Sequence, residues 1–176
     1  MKTLLALLLI GGVTLIADDD YKRGKRAQPG VAPVTNVLYK TECGSCHFAY
    51  QPGLLPKRSW AKMIQNLSDH FQTDASLDEN ETKRITDYLT KNAAENAMQY
   101  KRSRKIVRSI APDQIPEAIT QTRYFKHEHD EIPRRLIVQK EVRSLANCTA
   151  CHTRAEQGYY GERDISIPNY GKWDDD

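Results

Sequence analysis

Apolar residues along this chain recur mostly at helical spacing, and they do so in two unequal halves. Val34, Val37, Leu38 and Thr41 share one face and predict a helix that runs into Cys43. Gly53 and Pro56 mark a loop. Ser59 then offers an N-cap for a helix whose apolar face is Trp60, Met63, Ile64 and Leu67, continuing to His70 and Phe71. Ser76 and Glu79 have capping-box spacing ahead of a helix carrying Ile85, Tyr88 and Leu89. Residues 34–100 thus read as helix, loop, helix, helix. Residues 101–176 are less regular: Pro112, Pro116 and Pro133 interrupt them, and only Leu136–Leu145 looks helical. Ile165 and Ile167 alternate briefly before Pro168, as a short extended segment would. The pattern predicts a mainly α fold with a loop-rich second half.

The start of the chain reads as a leader. Lys2 precedes the apolar run Leu4–Ile10, Gly11-Gly12 breaks it, and Ala17 stands before Asp18-Asp19-Asp20, a cleavage point for export. The fifteen residues from Thr3 to Ala17 fall short of the roughly 20 needed to span a bilayer. Residues 1–17 are therefore expected to be removed, residues 18–33 to form a flexible lead, and the mature protein to be soluble and exported. Any contact with a membrane would then run through a partner.

Composition changes the picture of the core. Among 176 residues only 39% are apolar, with two Trp and three Phe to fill an interior. A core this lean calls for added buried surface, such as a bulky apolar cofactor. All four cysteines fall in two copies of one pattern, Cys43-Gly44-Ser45-Cys46-His47 and Cys148-Thr149-Ala150-Cys151-His152.

That spacing suits covalent haem attachment. Two thiols three residues apart on a helical turn reach the two vinyl-derived carbons on one haem edge, and the adjacent His turns onto the iron. One zinc shared by four Cys fits poorly, because paired Cys units in zinc sites lie about 15–20 residues apart, whereas 101 residues separate Cys46 from Cys148. Structural disulfides or a thioredoxin-type pair would not require a His after each pair. The two pentapeptides predict two haem c groups, held by Cys43, Cys46, Cys148 and Cys151, with His47 and His152 as axial ligands.

The sixth ligands come from a short set: His70, His127, His129, Met63 and Met98. His70 follows His47 by 23 residues on the face expected to cover the first haem, and it is preferred over Met63 there. For the second haem, His127 and His129 both precede the Cys motif, and spacing does not separate them. Trp60, Phe71, Tyr124 and Phe125 are expected to keep water from the haem faces, or simply to fill the core. Arg58 is expected at a haem carboxylate or in solvent.

Several strings together resemble the bacterial dihaem cytochrome c family: Gly53-Leu54-Leu55-Pro56-Lys57-Arg58-Ser59-Trp60, Asp69-His70-Phe71, Asp74-Ala75-Ser76-Leu77, Tyr124-Phe125, His129-Asp130-Glu131-Ile132-Pro133 and Ile165-Ser166-Ile167-Pro168. The resemblance spans roughly Tyr39 to Pro168. It implies two bis-histidine haems, His47 with His70 and His129 with His152, and leaves His127 as a bystander. It implies a small cytochrome c-like helical domain at 34–100 and an irregular haem-wrapping domain at 101–176. It also implies a periplasmic electron carrier between a membrane b-type cytochrome and a small soluble haem protein.

Charge bears on partners. The formal charge is +3, but both termini carry Asp triplets, and residues 21–173 hold 25 Lys and Arg against 17 Asp and Glu. A basic body in an exported protein points to an acidic protein partner or a polar membrane face rather than to nucleic acid. Lys101, Arg102, Arg104, Lys105 and Arg108 cluster at the junction, as a solvated connector would. The functional expectation is electron transfer without bond chemistry at iron, hence no enzyme. The competing readings, a dihaem peroxidase or a gas-binding haem module, both need one open iron.

Overall fold

The computed structural model describes residues 28–173, so the expected leader and most of the flexible lead lie outside the described residues. The chain is mainly helical. Helices α1 (Val37–Gly44), α2 (Lys57–Gln65) and α3 (Glu79–Lys91) form the first half. They are followed by α4 (Lys101–Ser109), α5 (Arg123–His127), α6 (Arg134–Ile137) and α7 (Cys148–Cys151). One small antiparallel ribbon pairs β1 (Ser166–Ile167) with β2 (Gly171–Lys172), which is where the extended segment was expected.

Local chemistry sets the helix ends, not always as the pattern suggested. Asn36 caps α1, its side chain accepting from Tyr39 N at 2.8 Å. α2 begins after Pro56, so Ser59 is no cap but a buried residue inside the first turn. Pro56 forces that start, because it fixes φ and has no N–H to donate. Asp78, not Ser76, caps α3 by accepting from Glu81 N at 2.8 Å. Helix α2 stops at Gln65, earlier than the apolar face implied, and the helix expected over Leu136–Leu145 is only Arg134–Ile137.

Two apolar clusters make the core. The first joins Tyr39, Leu55, Trp60, Ile64, Ile85, Leu89 and Ala93, where α1, α2 and α3 meet. The second joins Val31, Leu54, Ala94, Ile106, Ile110, Ala155 and Tyr160, drawing on both halves of the sequence. Polar groups carry the same tie. Gln51, fully buried, donates to Ala155 O at 2.5 Å and accepts from Tyr160 OH at 2.6 Å. A buried amide with both ends satisfied links the halves at sequence separations above 100 residues.

Residues 28–33, expected as the end of a flexible lead, are pinned instead. Val31 is fully buried, and Gly30 N donates to Gly158 O at 2.7 Å. Gly158 takes φ +82°, and a Cβ there would lie 2.2 Å from Val31 O. Only glycine combines that left-handed conformation with that close approach.

Candidate haem sites

Each Cys pair sits on the turn that ends a helix. Cys43 lies near the end of α1 with Cys46 and His47 just beyond it, and Cys148 and Cys151 open and close α7 with His152 at its C-cap. All four cysteines are free of disulfides. Burial pushes the Cys43 and Cys148 thiols up to about 11, and raises Cys151 as well. The two pairs are not gathered into one centre: among the described residues no group of three or more His, Cys, Asp or Glu could hold a single metal ion.

Each motif histidine faces a second imidazole. His47 and His70 have ring centroids 6.1 Å apart with planes at 28°. His129 and His152 are also 6.1 Å apart, with planes at 77°. An imidazole nitrogen binds a first-row metal at about 2.0–2.1 Å with its ring centre about 1.1 Å behind, so two imidazoles in line on one ion have centroids roughly 6.3 Å apart. Both pairs leave a gap of that size, so the donor sets fit two six-coordinate haem irons.

A loop, not a helix, presents His70. His70 N donates to Thr73 O at 2.8 Å and Thr73 N returns a bond to His70 O at 3.2 Å. Between them Phe71 and Gln72 take φ +53° and +69°, a left-handed pair that costs about 1–2 kcal/mol per residue. Asp69 helps hold the turn by accepting from Gln72 N at 3.1 Å. Strain held this way beside a ligand-type side chain marks a built site.

His129 is positioned by α5. Thr122 caps that helix by accepting from Phe125 N at 3.2 Å. The His129 ring stacks on Phe125 with centroids 4.0 Å apart, and its Nδ1 donates to Phe125 O at 2.8 Å. His47 Nδ1 donates in the same way to Phe48 O at 2.8 Å. A carbonyl can only accept, so in both rings Nε2 is the nitrogen with a free lone pair. His152 differs: its Nδ1 is buried with no hydrogen-bond partner among the described residues. Its backbone is fastened by a bridge to Ile165.

Burial favours the neutral ring at His70, His129 and His152. His152 is lowered to about 4, by desolvation first and then by His129 and Arg102. Desolvation also lowers His129 and, with the charge of His47, His70. Neutral imidazole is the ligating form. His127 shows the contrast: its side chain is 81% exposed and sits 3.7 Å from Asp130, away from the cavity.

The second site is a cleft open to solvent, lined by Ile106, Tyr124, Phe125, His129, Cys148 and His152 among others. Its lining is mostly apolar. At the first site His47 and Cys46 are exposed. Of the four aromatics expected at haem faces, Tyr124 and Phe125 line this cavity. Trp60 is instead core, donating to Pro52 O at 2.8 Å, and Phe71 is 59% exposed beside His70. Arg58 is neither free nor in a cavity: it donates to Gln114 O at 2.7 Å and to Ala111 O at 3.0 Å. Met63 packs against the first apolar cluster.

Tyr50 was not singled out by sequence, yet it touches both sites. Its ring lies 5.1 Å from that of His47, and its hydroxyl donates at 2.7 Å to Ala146 O, two residues before Cys148. Burial, and then Cys148, push its hydroxyl up to about 12. Only its place three residues after His47 could have drawn attention to it.

Two Cys-x-x-Cys-His motifs, each with a second imidazole opposite its own, form the pattern of a c-type cytochrome with two haems. The sequence profile of the family described as dihaem cytochrome c matches residues 39–160, and the chain belongs to that family. It therefore carries two covalently bound haem c groups and is an electron-transfer haem protein. The chain is similar to a diheme cytochrome c from Shewanella baltica OS155, with 38% identity, 79% of this chain and 98% of that one covered, and a TM-score of 0.65. It is also similar to a diheme cytochrome c from Rhodobacter sphaeroides, with 39% identity, 74% and 100% covered, and a TM-score of 0.66. No curated protein matches the chain.

Proposed function

We propose that this protein is a periplasmic electron carrier with two bis-histidine, low-potential haems. In this reading Cys43 and Cys46 anchor one haem, with His47 and His70 on its iron. Cys148 and Cys151 anchor the other, with His129 and His152 on its iron. The observation that carries the reading is the equal 6.1 Å spacing of the two imidazole pairs.

Bound haem iron supplies the one-electron couple. The chain's own part is to close and insulate the irons. Two imidazoles on each iron leave no position for a substrate or gas, which favours a carrier over the peroxidase and gas-binding readings. Imidazole in place of thioether lowers the potential, since Met/His ligation raises it. Phe125 and the Phe125 carbonyl hold His129 in one orientation, so little has to rearrange when charge changes. Export rests on the expected leader at 1–17. Among the described residues no helix is long and apolar enough to cross a membrane. A membrane b-type cytochrome and a small soluble haem protein are the proposed redox partners, and no catalytic residue is assigned.

The test is an absorption spectrum of the matured protein, oxidised, reduced, and reduced under carbon monoxide. Two low-spin c-type haems, no response to carbon monoxide and no Met–iron charge-transfer band are expected; a carbon monoxide shift would overturn the closed-site reading.

Electron paramagnetic resonance checks the ligand pairs separately. Nearly parallel imidazole planes split the iron d orbitals, and crossed planes bring them back toward degeneracy. The 28° and 77° pairs should thus give two distinct ferric low-spin signals, the second with the larger maximum g value. A single signal integrating to both haems would contradict the pairing.

A further inference from the structure

Helix α4 has two faces with different jobs. Inward, Ser103 and Ile106 are buried, and Arg102 and Ile106 line the cavity that holds His129 and His152. Outward, Lys101, Lys105 and Arg108 are exposed. Spacings of four and three residues put these three on one stripe. Lys105 lies 3.5 Å from Glu128 and 5.2 Å over the ring of Tyr124, which itself lines the cavity. Lys101 and Arg108 have no anionic partner among the described residues. Glu128 does not cancel the stripe, because it is shared with Arg102 at 3.1 Å.

A solvated connector would explain the charge alone. It does not explain why the stripe is carried by the helix that walls the second cavity, one ring's thickness from its interior. We propose that the outer face of α4 is the docking surface for an acidic redox protein, which exchanges electrons with the haem held by His129 and His152. Lys101, Lys105 and Arg108 are exposed together on this face, and Lys101 and Arg108 meet no carboxylate among the described residues, so the stripe attracts an anionic protein at close range and orients it. At the docked face one electron leaves the partner's reduced centre and one iron goes from ferric to ferrous, with no bond made or broken. This rests on the electron-carrier reading above and adds where the partner sits.

The experiment uses the haem-loaded protein and a reduced acidic plant-type ferredoxin as probe. Binding and the rate of haem reduction are measured against ionic strength for the native chain and for the triple variant Lys101→Gln/Lys105→Gln/Arg108→Gln. A control triple, Lys62→Gln/Arg84→Gln/Lys91→Gln, removes equal charge from α2 and α3. The α4 variant should bind the ferredoxin about tenfold or more weakly at low salt, with a flatter salt dependence of its rate, while the control changes little. Equal loss in both variants would reduce the effect to net charge and overturn the proposal, as would no loss in either. Titration with phosphatidylglycerol vesicles is the second arm. Binding that needs the stripe there, with ferredoxin binding unaffected, would assign the face to a membrane instead. A small neutral reductant separates the two readings: it should reduce both haems equally fast in all three proteins. Carbon monoxide binding to native protein would count against the carrier reading, whereas stripe-independent ferredoxin binding counts only against the docking surface.

Discussion

Replacing His129 with alanine is expected to leave both haems attached while turning one of them from a closed, low-spin centre into an open, high-spin one. In the proposed assignment attachment survives because it depends on Cys148 and Cys151, which His129 does not touch covalently. The iron opens because no other imidazole is near: His127 points into solvent, and the ring facing His152 at 6.1 Å is His129 alone. About half the total haem should then respond to carbon monoxide, read as the reduced-plus-carbon-monoxide difference spectrum. His70→Ala should do the same to the other haem, and His127→Ala should change nothing. His129→Met is the conservative companion. It should keep a low-spin centre and raise one of the two potentials, because thioether ligation favours ferrous iron. An unchanged spectrum in His129→Ala would remove that ligand assignment.

The second large effect is on folding, at Gly158. In Gly158→Ala the new Cβ would meet Val31 O at 2.2 Å, a backbone atom that can move only with its segment, and the residue would sit at φ +82°. The left-handed conformation alone costs about 1–2 kcal/mol in a non-glycine residue. Relieving the contact would pull residues 30 and 31 away and lose the bonds from Gly30 N and Val31 N to Gly158 O. Together a loss of about 3–4 kcal/mol is expected, or roughly 10 °C in melting temperature for a chain of this size. Gly161→Ala is the control: nothing lies within 4 Å of its Cβ position, so it should stay within about 0.5 kcal/mol of the native protein. Thermal unfolding of both variants, followed by circular dichroism, decides the matter. Equal melting temperatures would mean that residues 29–31 are not anchored on the second half.

These two variants probe different ranges of the chain, and the same division separates what could be read from the sequence. The haem motifs were legible because their chemistry is local: both thiols and one imidazole lie within five residues, on a turn whose geometry hardly varies. Helical periodicity likewise located α1, α2 and α3, since a buried face leaves its mark every three to four residues. It failed at the ends. Prolines and competing caps shifted the starts of α2 and α3, and a left-handed pair at Phe71 and Gln72, which no period reveals, turned the end of a supposed helix into the loop holding His70.

The sequence by itself therefore determined the class of cofactor, the two Cys-x-x-Cys-His motifs and the mainly α character. Tertiary structure alone decided the remainder. It brought His70 to His47 and His129 to His152, each across 23 residues of chain, and turned His127 outward. It also placed Tyr50 against both sites and buried Gln51 and Val31 in contacts with the far half. The physical reason is one of range. Side-chain chemistry and helical period act over a few residues, whereas these contacts depend on loop conformation and on close packing between segments from 23 to more than 100 residues apart.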